Sequence, residues 1–222
     1  MMELPFTTEQ FLNVFQVYNN AIWPSQLIAY LFGIVAVICS FWKSPASDKI
    51  INSILGFFWL WIGVVYHILF FSEINNAAFG FGTLFIIQGL LFLEIGLFTD
   101  KIQYHFNANT FGITGIILIA YAMVIYPIIG SLLGHSYPFS PMFGVTPCPA
   151  TIFTFGLLLW TNQQIPWWFL LIPGLWSVIG FTAAFQLGIV EDTGLLVSGI
   201  LSIGLLLYRN MKKNSQKLNP AA

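Results

Sequence analysis

Charge is what this sequence has least of. Of its 222 residues only 7% are Asp, Glu, Lys or Arg, while 58% are hydrophobic. A soluble domain carries about 25% charged residues, so a soluble fold is excluded and an all-α integral membrane protein is expected. Cysteine is nearly as scarce. Cys39 and Cys148 are the only two, and two do not make a disulfide framework. A net charge of −1 leaves no electrostatic footprint for nucleic acid. The first twenty residues are polar and aromatic rather than basic then apolar, so no cleavable signal peptide is expected. There is no HExxH, no Gly-x-Ser-x-Gly, no phosphate-binding glycine loop and no haem-attachment motif. The lysine inside a late span that a retinal-binding opsin requires is missing too.

What is present is apolar sequence in repeated runs. A spanning helix takes roughly 20 apolar residues, and the runs predict seven spans: 23–41, 50–71, 77–98, 111–133, 148–160, 166–187 and 194–208. Pro127 predicts a kink in the fourth, and Pro173-Gly174 a break in the sixth. Residues 1–22 precede them, with an amphipathic helix capped by Thr7 and Gln10. Phe11, Val14, Phe15 and Tyr18 give that helix one apolar face, which places it in the membrane interface. Residues 209–222 are a basic tail.

The charges that remain are sorted. With seven spans, Lys43, Lys49, Lys101, Arg209, Lys212, Lys213 and Lys217 all fall on the tail side. The other side carries Glu3, Glu9, Glu73, Glu191 and Asp192; the last three lie on outward turns, where they are expected to be solvated or to draw cations to an outer vestibule. The positive-inside rule then puts the N-terminus outside and the C-terminus in the cytoplasm. Glycine and tryptophan positions around Trp61-Ile-Gly63 and Trp176-Ser-Val-Ile-Gly180 echo one another, which suggests a 3-1-3 plan of two parallel three-helix units. Trp23, Trp42, Trp160, Trp167 and Trp168 fit interfacial aromatic belts.

The sharpest local feature is the run from Pro138 to Thr151, with four prolines in twelve residues. Pro147 and Pro149 bracket Cys148 and predict irregular backbone at the outer start of span five. Irregular backbone at membrane depth must be buried in protein or line a wet cavity. His67 and His135 fall at the same depth. One thiol and two imidazoles are three ligands of a tetrahedral site for a soft metal ion, or a thiol with an imidazole base. The alternatives are a Cys148 packed as a small hydrophobe, a His67 hydrogen-bonded to a neighbouring helix and a solvated His135. Glu94 is the acid well inside a span, and Gln88 extends it into a polar line, which suits a proton or solute path or, for Glu94, a contact with Lys101.

Four segments together resemble a known group of sequences: Leu4-Pro-Phe-Thr-Thr-Glu-Gln-Phe11, the stretch from Trp59 to His67, Gly144-Val-Thr-Pro-Cys-Pro-Ala-Thr151, and Glu191-Asp-Thr-Gly-Leu195. They are similar to an uncharacterised family of small bacterial multi-pass membrane proteins, a domain of unknown function. The resemblance implies a bacterial inner-membrane location and no particular activity. The expected role is to bind or transport a small solute or soft metal ion through an outward-facing site of Cys148, His67 and His135. A membrane-embedded thiol-dependent or metal-dependent enzyme and an accessory subunit without a site are the alternatives. Beyond the lipid bilayer and a small-molecule or ion ligand the sequence names no partner, and it carries no signal for oligomeric state.

Overall fold

The computed structural model describes residues 4–99 and 101–218. Among these no strand forms, apart from one antiparallel bridge between Tyr104 and Thr161. Helix α1 (Thr8–Ala21) starts on the expected capping box: Thr7 accepts from the Gln10 N–H, and the Gln10 side chain accepts from the Thr7 N–H. Its axis then turns by 86° into α2 (Ser25–Cys39). Helix α3 (Pro45–Trp61) begins at the Ser44 cap with proline in its first turn, and runs on as π-helix to Phe70. After a short turn come α4 (Ala78–Phe98), α5 (Thr110–Ala120), a π-helical turn over Tyr121–Ile125, and α6 (Tyr126–Leu132). The chain ends in α7 (Pro147–Leu159), α8 (Leu171–Leu187) and α9 (Thr193–Leu218).

Five of these helical segments are long and apolar enough to cross a membrane, and a sixth is counted if the bent α1–α2 pair is one span. The fifth expected span, α7, has 13 residues, about 20 Å of helix against a hydrocarbon core of about 30 Å. It compensates by position. Every side chain from Pro147 to Leu159 is buried, as expected of a helix that is apolar all round. The other helices wrap it, and Gly115 of α5 crosses it so closely that an added Cβ would stand 2.8 Å from the Gly156 carbonyl oxygen. The α3–α4 pair uses the same device. A Cβ on Gly63 would meet the Gly82 oxygen at 2.8 Å, and one on Gly89 the Gly56 oxygen at 2.9 Å. Small residues at such a crossing let backbones pack where lipid gives no hydrophobic drive.

Several expectations for proline need correcting. Pro173 does not break α8, because it lies in the first turn, where no N–H is owed to the ladder. Pro147 and Pro149 likewise occupy the first turn of α7, so Cys148 sits on regular helix. Pro127 opens α6 directly after the π-helical turn, which absorbs its missing N–H. The tail is no separate segment either, since α9 continues through it to Leu218.

Hydrogen bonds tie the connections into two ends. At one, the Phe106 N–H donates to Ser40 at 3.0 Å, Tyr104 N–H to Asp48 Oδ1 at 2.7 Å, and Asn162 N–H to Gln103 at 3.1 Å. Arg209 and Lys213 of α9 donate to the Thr161 and Asn162 carbonyls there. The segments bearing the basic residues therefore share this end. At the other end Tyr18 donates to the Val145 carbonyl at 2.6 Å, Asn19 to those of Pro138 and Ser140, and Thr8 to that of Leu187. Val14, Phe15 and Tyr18 of α1 are buried against this end of the protein, with Phe15 stacked on Tyr66 at 5.6 Å. The face expected to meet the interface packs instead on the bundle.

Candidate functional site

Helix α7 brings Cys148 to the acidic end in its first turn. The Pro-rich segment before it is held by Thr146, whose hydroxyl donates to the Met142 carbonyl at 2.8 Å. Gly144 turns that segment at φ +74°, and a Cβ there would stand 2.8 Å from that of Ala29. Both the backbone angle and the space require glycine.

Around Cys148 the turn between α8 and α9 delivers two carboxyl groups. Glu191 and Asp192 are 1% and 3% exposed, which corrects the expectation of solvated acids on an outer turn. The Cys148 thiol lies against the Asp192 carboxyl and the Trp176 indole. Tyr126 donates to Asp192 Oδ1 at 2.6 Å, and Tyr121 to the Glu191 carbonyl at 2.7 Å. His135 Nδ1 is 3.0 Å from Glu191 Oε1. Glu191 Oε2, by contrast, is buried without a partner among the described residues. Burying a carboxyl is expensive unless donors meet it, so the Tyr126 phenol at Asp192 and the His135 imidazole at Glu191 help these two acids stay at this depth.

Beside the cluster lies a cavity of about 420 Å³. Asp192 and Cys148 contribute to its wall, with Asn75 and Gln186, but rings dominate it: Phe6, Phe11 and Phe15 from the N-terminal segment, Tyr66 and Phe71 from the end of α3, and Trp176 from α8. Helix α1, turned across the bundle end, forms one side. An apolar chamber with a few polar groups on its wall is the usual build of a small-molecule site.

The expected site residues do not share it equally. Cys148 lines the cavity. His135 is engaged with Glu191 and is not in the wall. His67 is fully buried in the π-helical part of α3, both ring nitrogens without partners among the described residues, boxed by Tyr66, Phe71, Phe81, Phe85 and Trp176 at 4.8–6.0 Å. Among the described residues, no three His, Cys, Asp or Glu side chains are grouped as metal ligands. Cys148, His67 and His135 are thus not drawn into one ligand set, and the nearest ionisable neighbour of the thiol is a carboxyl, not an imidazole. Gln88 and Glu94 do not form a polar line. Six residues of helix leave them about 120° apart around the axis, with Gln88 fully buried and Glu94 exposed. Tyr121, Tyr126 and Trp176 were missed. Two phenols inside one span were the available signal, since a buried Tyr hydroxyl needs a partner.

A family model matches residues 8–217, nearly the whole chain; its description is family of unknown function (DUF6064). The chain belongs to that family. No curated protein and no solved structure matches it. The family carries no activity over to this chain, so function rests on the site itself.

Proposed function

We propose that this member of the family is a seven-helix protein of the bacterial inner membrane, N-terminus outside, that binds a small amphiphile in the cavity beside Cys148. The topology is supported by the gathering of basic residues at one end and buried acids at the other. The central α7, wrapped by protein, is the short seventh helix. The observation that carries the site is the cavity: ring-walled, about 420 Å³, with the Asp192 carboxyl on its wall. Apolar walls take the body of the ligand. A carboxyl there favours a head that donates hydrogen bonds or carries positive charge, and aromatic faces add attraction for a cation. Among the described residues Cys148, His67 and His135 form no ligand set for the soft metal ion expected of them. Transport adds one requirement: the contacts of Arg209 and Asn210 that close the basic end must part.

The test uses Cys148 as reporter in the full chain with Cys39→Ser. A small thiol reagent modifies Cys148, and benzylamine protects it while benzoate does not, because Asp192 repels a second carboxylate. Asp192→Asn erases the difference. Equal protection by benzoate, or none by either, overturns the proposal.

A further inference from the structure

We propose a second site, at the basic end: the pocket between α5, α9 and the 160–163 turn binds a phosphate group. The pocket has a volume of about 170 Å³ and is lined by Arg209, Lys213, His105, Asn107 and Asn109, among others, with no Asp or Glu among the described residues of its wall. Among the described residues of their walls it is chemically the reverse of the cavity beside Cys148 and shares no residue with it.

The cations are aimed inward. Arg209 reaches back from α9, donating to the Thr161 carbonyl, to the Thr161 hydroxyl at 2.8 Å and to the Gln163 carbonyl at 3.1 Å. Its guanidinium lies 5.5 Å from the centre of the Phe111 ring. These partners are all neutral, and among the described residues Nε is buried without any. A partly buried guanidinium met only by neutral groups has not recovered what desolvation cost it. Lys213, one turn along α9, donates to the Asn162 carbonyl in the same wall. His105 Nδ1 is likewise buried without a partner among the described residues.

The backbone points the same way. Helix α5 begins at this pocket: its Asn109 cap accepts from the Gly112 N–H at 3.1 Å, and both residues line the wall. The positive end of a helix dipole and its unbonded N–H groups favour an anion there. Two cations, a helix start and two ring or guanidine nitrogens without partners, with no acid in the wall, all among the described residues, fit a compact oxyanion. Planar guanidinium forks select phosphate. At the end of a membrane bundle the phosphate comes from a phospholipid headgroup or from free phosphate, and both present the same oxygens.

The experiment places the full-length protein in nanodiscs of phosphatidylcholine alone or mixed with phosphatidylglycerol. Retained lipid is counted by native mass spectrometry, and the shift in unfolding temperature is measured with inorganic phosphate. Phosphatidylglycerol should be retained over phosphatidylcholine by about tenfold, and Arg209→Gln should remove about tenfold of that preference, the worth of one charge-assisted contact. Retention that phosphate cannot displace assigns the site to lipid; stabilisation by phosphate without lipid preference assigns it to free phosphate. If Arg209→Gln does not fold, Asn107→Asp, an exposed change on the rim, should weaken binding in the same direction. No preference and no phosphate shift, or effects that both variants leave unchanged, overturn the site.

Discussion

The two ends of this bundle handle buried charge in opposite ways. At the basic end Arg209 and Lys213 use their length to fold back onto backbone carbonyls, with the charge carried at the tip of a flexible stem. Tyr104 donates to Asn52 Oδ1 at 2.9 Å there, and burial together with the Asp48 carboxylate pushes its phenol well above the ordinary range. At the acidic end Glu191 and Asp192 are too short to reach out of the protein. They stay buried and are met by Tyr126, His135 and Cys148, brought from three other segments. Long cations close an end with local contacts. Short acids oblige distant elements to converge, and the larger, ring-walled cavity lies where they do.

The largest effect that tests this contrast is all-or-none. In a chain lacking both cysteines, Asn76→Cys should label from outside the cell, and Gln163→Cys only after permeabilisation. Both are exposed positions at opposite ends. Equal labelling of the two in intact cells would abolish the assignment of sides.

Next in size is the cost of removing a ring from each end. Trp160 donates to the Gly112 carbonyl at 2.9 Å, packs on Phe41 and Phe106, and is 3% exposed. Trp160→Ala should cost about 3–5 kcal/mol, the usual range for a buried tryptophan. Trp176 borders a void already and its indole N–H has no hydrogen-bond partner among the described residues, so Trp176→Ala should cost roughly half as much. Unfolding midpoints in one detergent give the order. A Trp176 variant as unstable as the Trp160 variant would mean that the acidic end is packed for stability and not for a ligand.

Much of the fold could be read from the sequence, for reasons visible at single residues. The Thr7–Gln10 box and the run of prolines act locally, so they marked real starts of α1 and α7. The sorting of basic residues survived because it depends only on the order of loops. Proline misled where its position within a turn mattered, as at Pro173 and around Cys148: the same residue that breaks a helix interior is welcome in its first turn. The acids of the 191–192 turn read as solvated because nothing nearby in sequence announces the Tyr126 hydroxyl, 66 residues away. The apolar face of α1 was correctly located, yet periodicity cannot tell lipid from protein as the surface it meets.

The smallest effects concern α4, where Gln88 and Glu94 sharpen the contrast between buried and reachable polar groups. Glu94 is exposed one turn from the end of the helix, and lines neither the acidic-end cavity nor the basic-end pocket. Glu94→Gln should therefore change stability by no more than about 0.5 kcal/mol. Gln88 is fully buried, and neither its amide nitrogen nor its oxygen has a partner among the described residues. An amide already deprived of hydrogen bonds loses nothing when replaced by an apolar side chain of similar length. Gln88→Met should accordingly be neutral or stabilising by about 1 kcal/mol. A loss of more than about 2 kcal/mol in the unfolding equilibrium would mean the amide is satisfied in the native membrane, by water or a bound solute. The interior face of α4 would then join the acidic end as part of a polar route, and the contrast between the two ends would no longer stand on the end contacts alone.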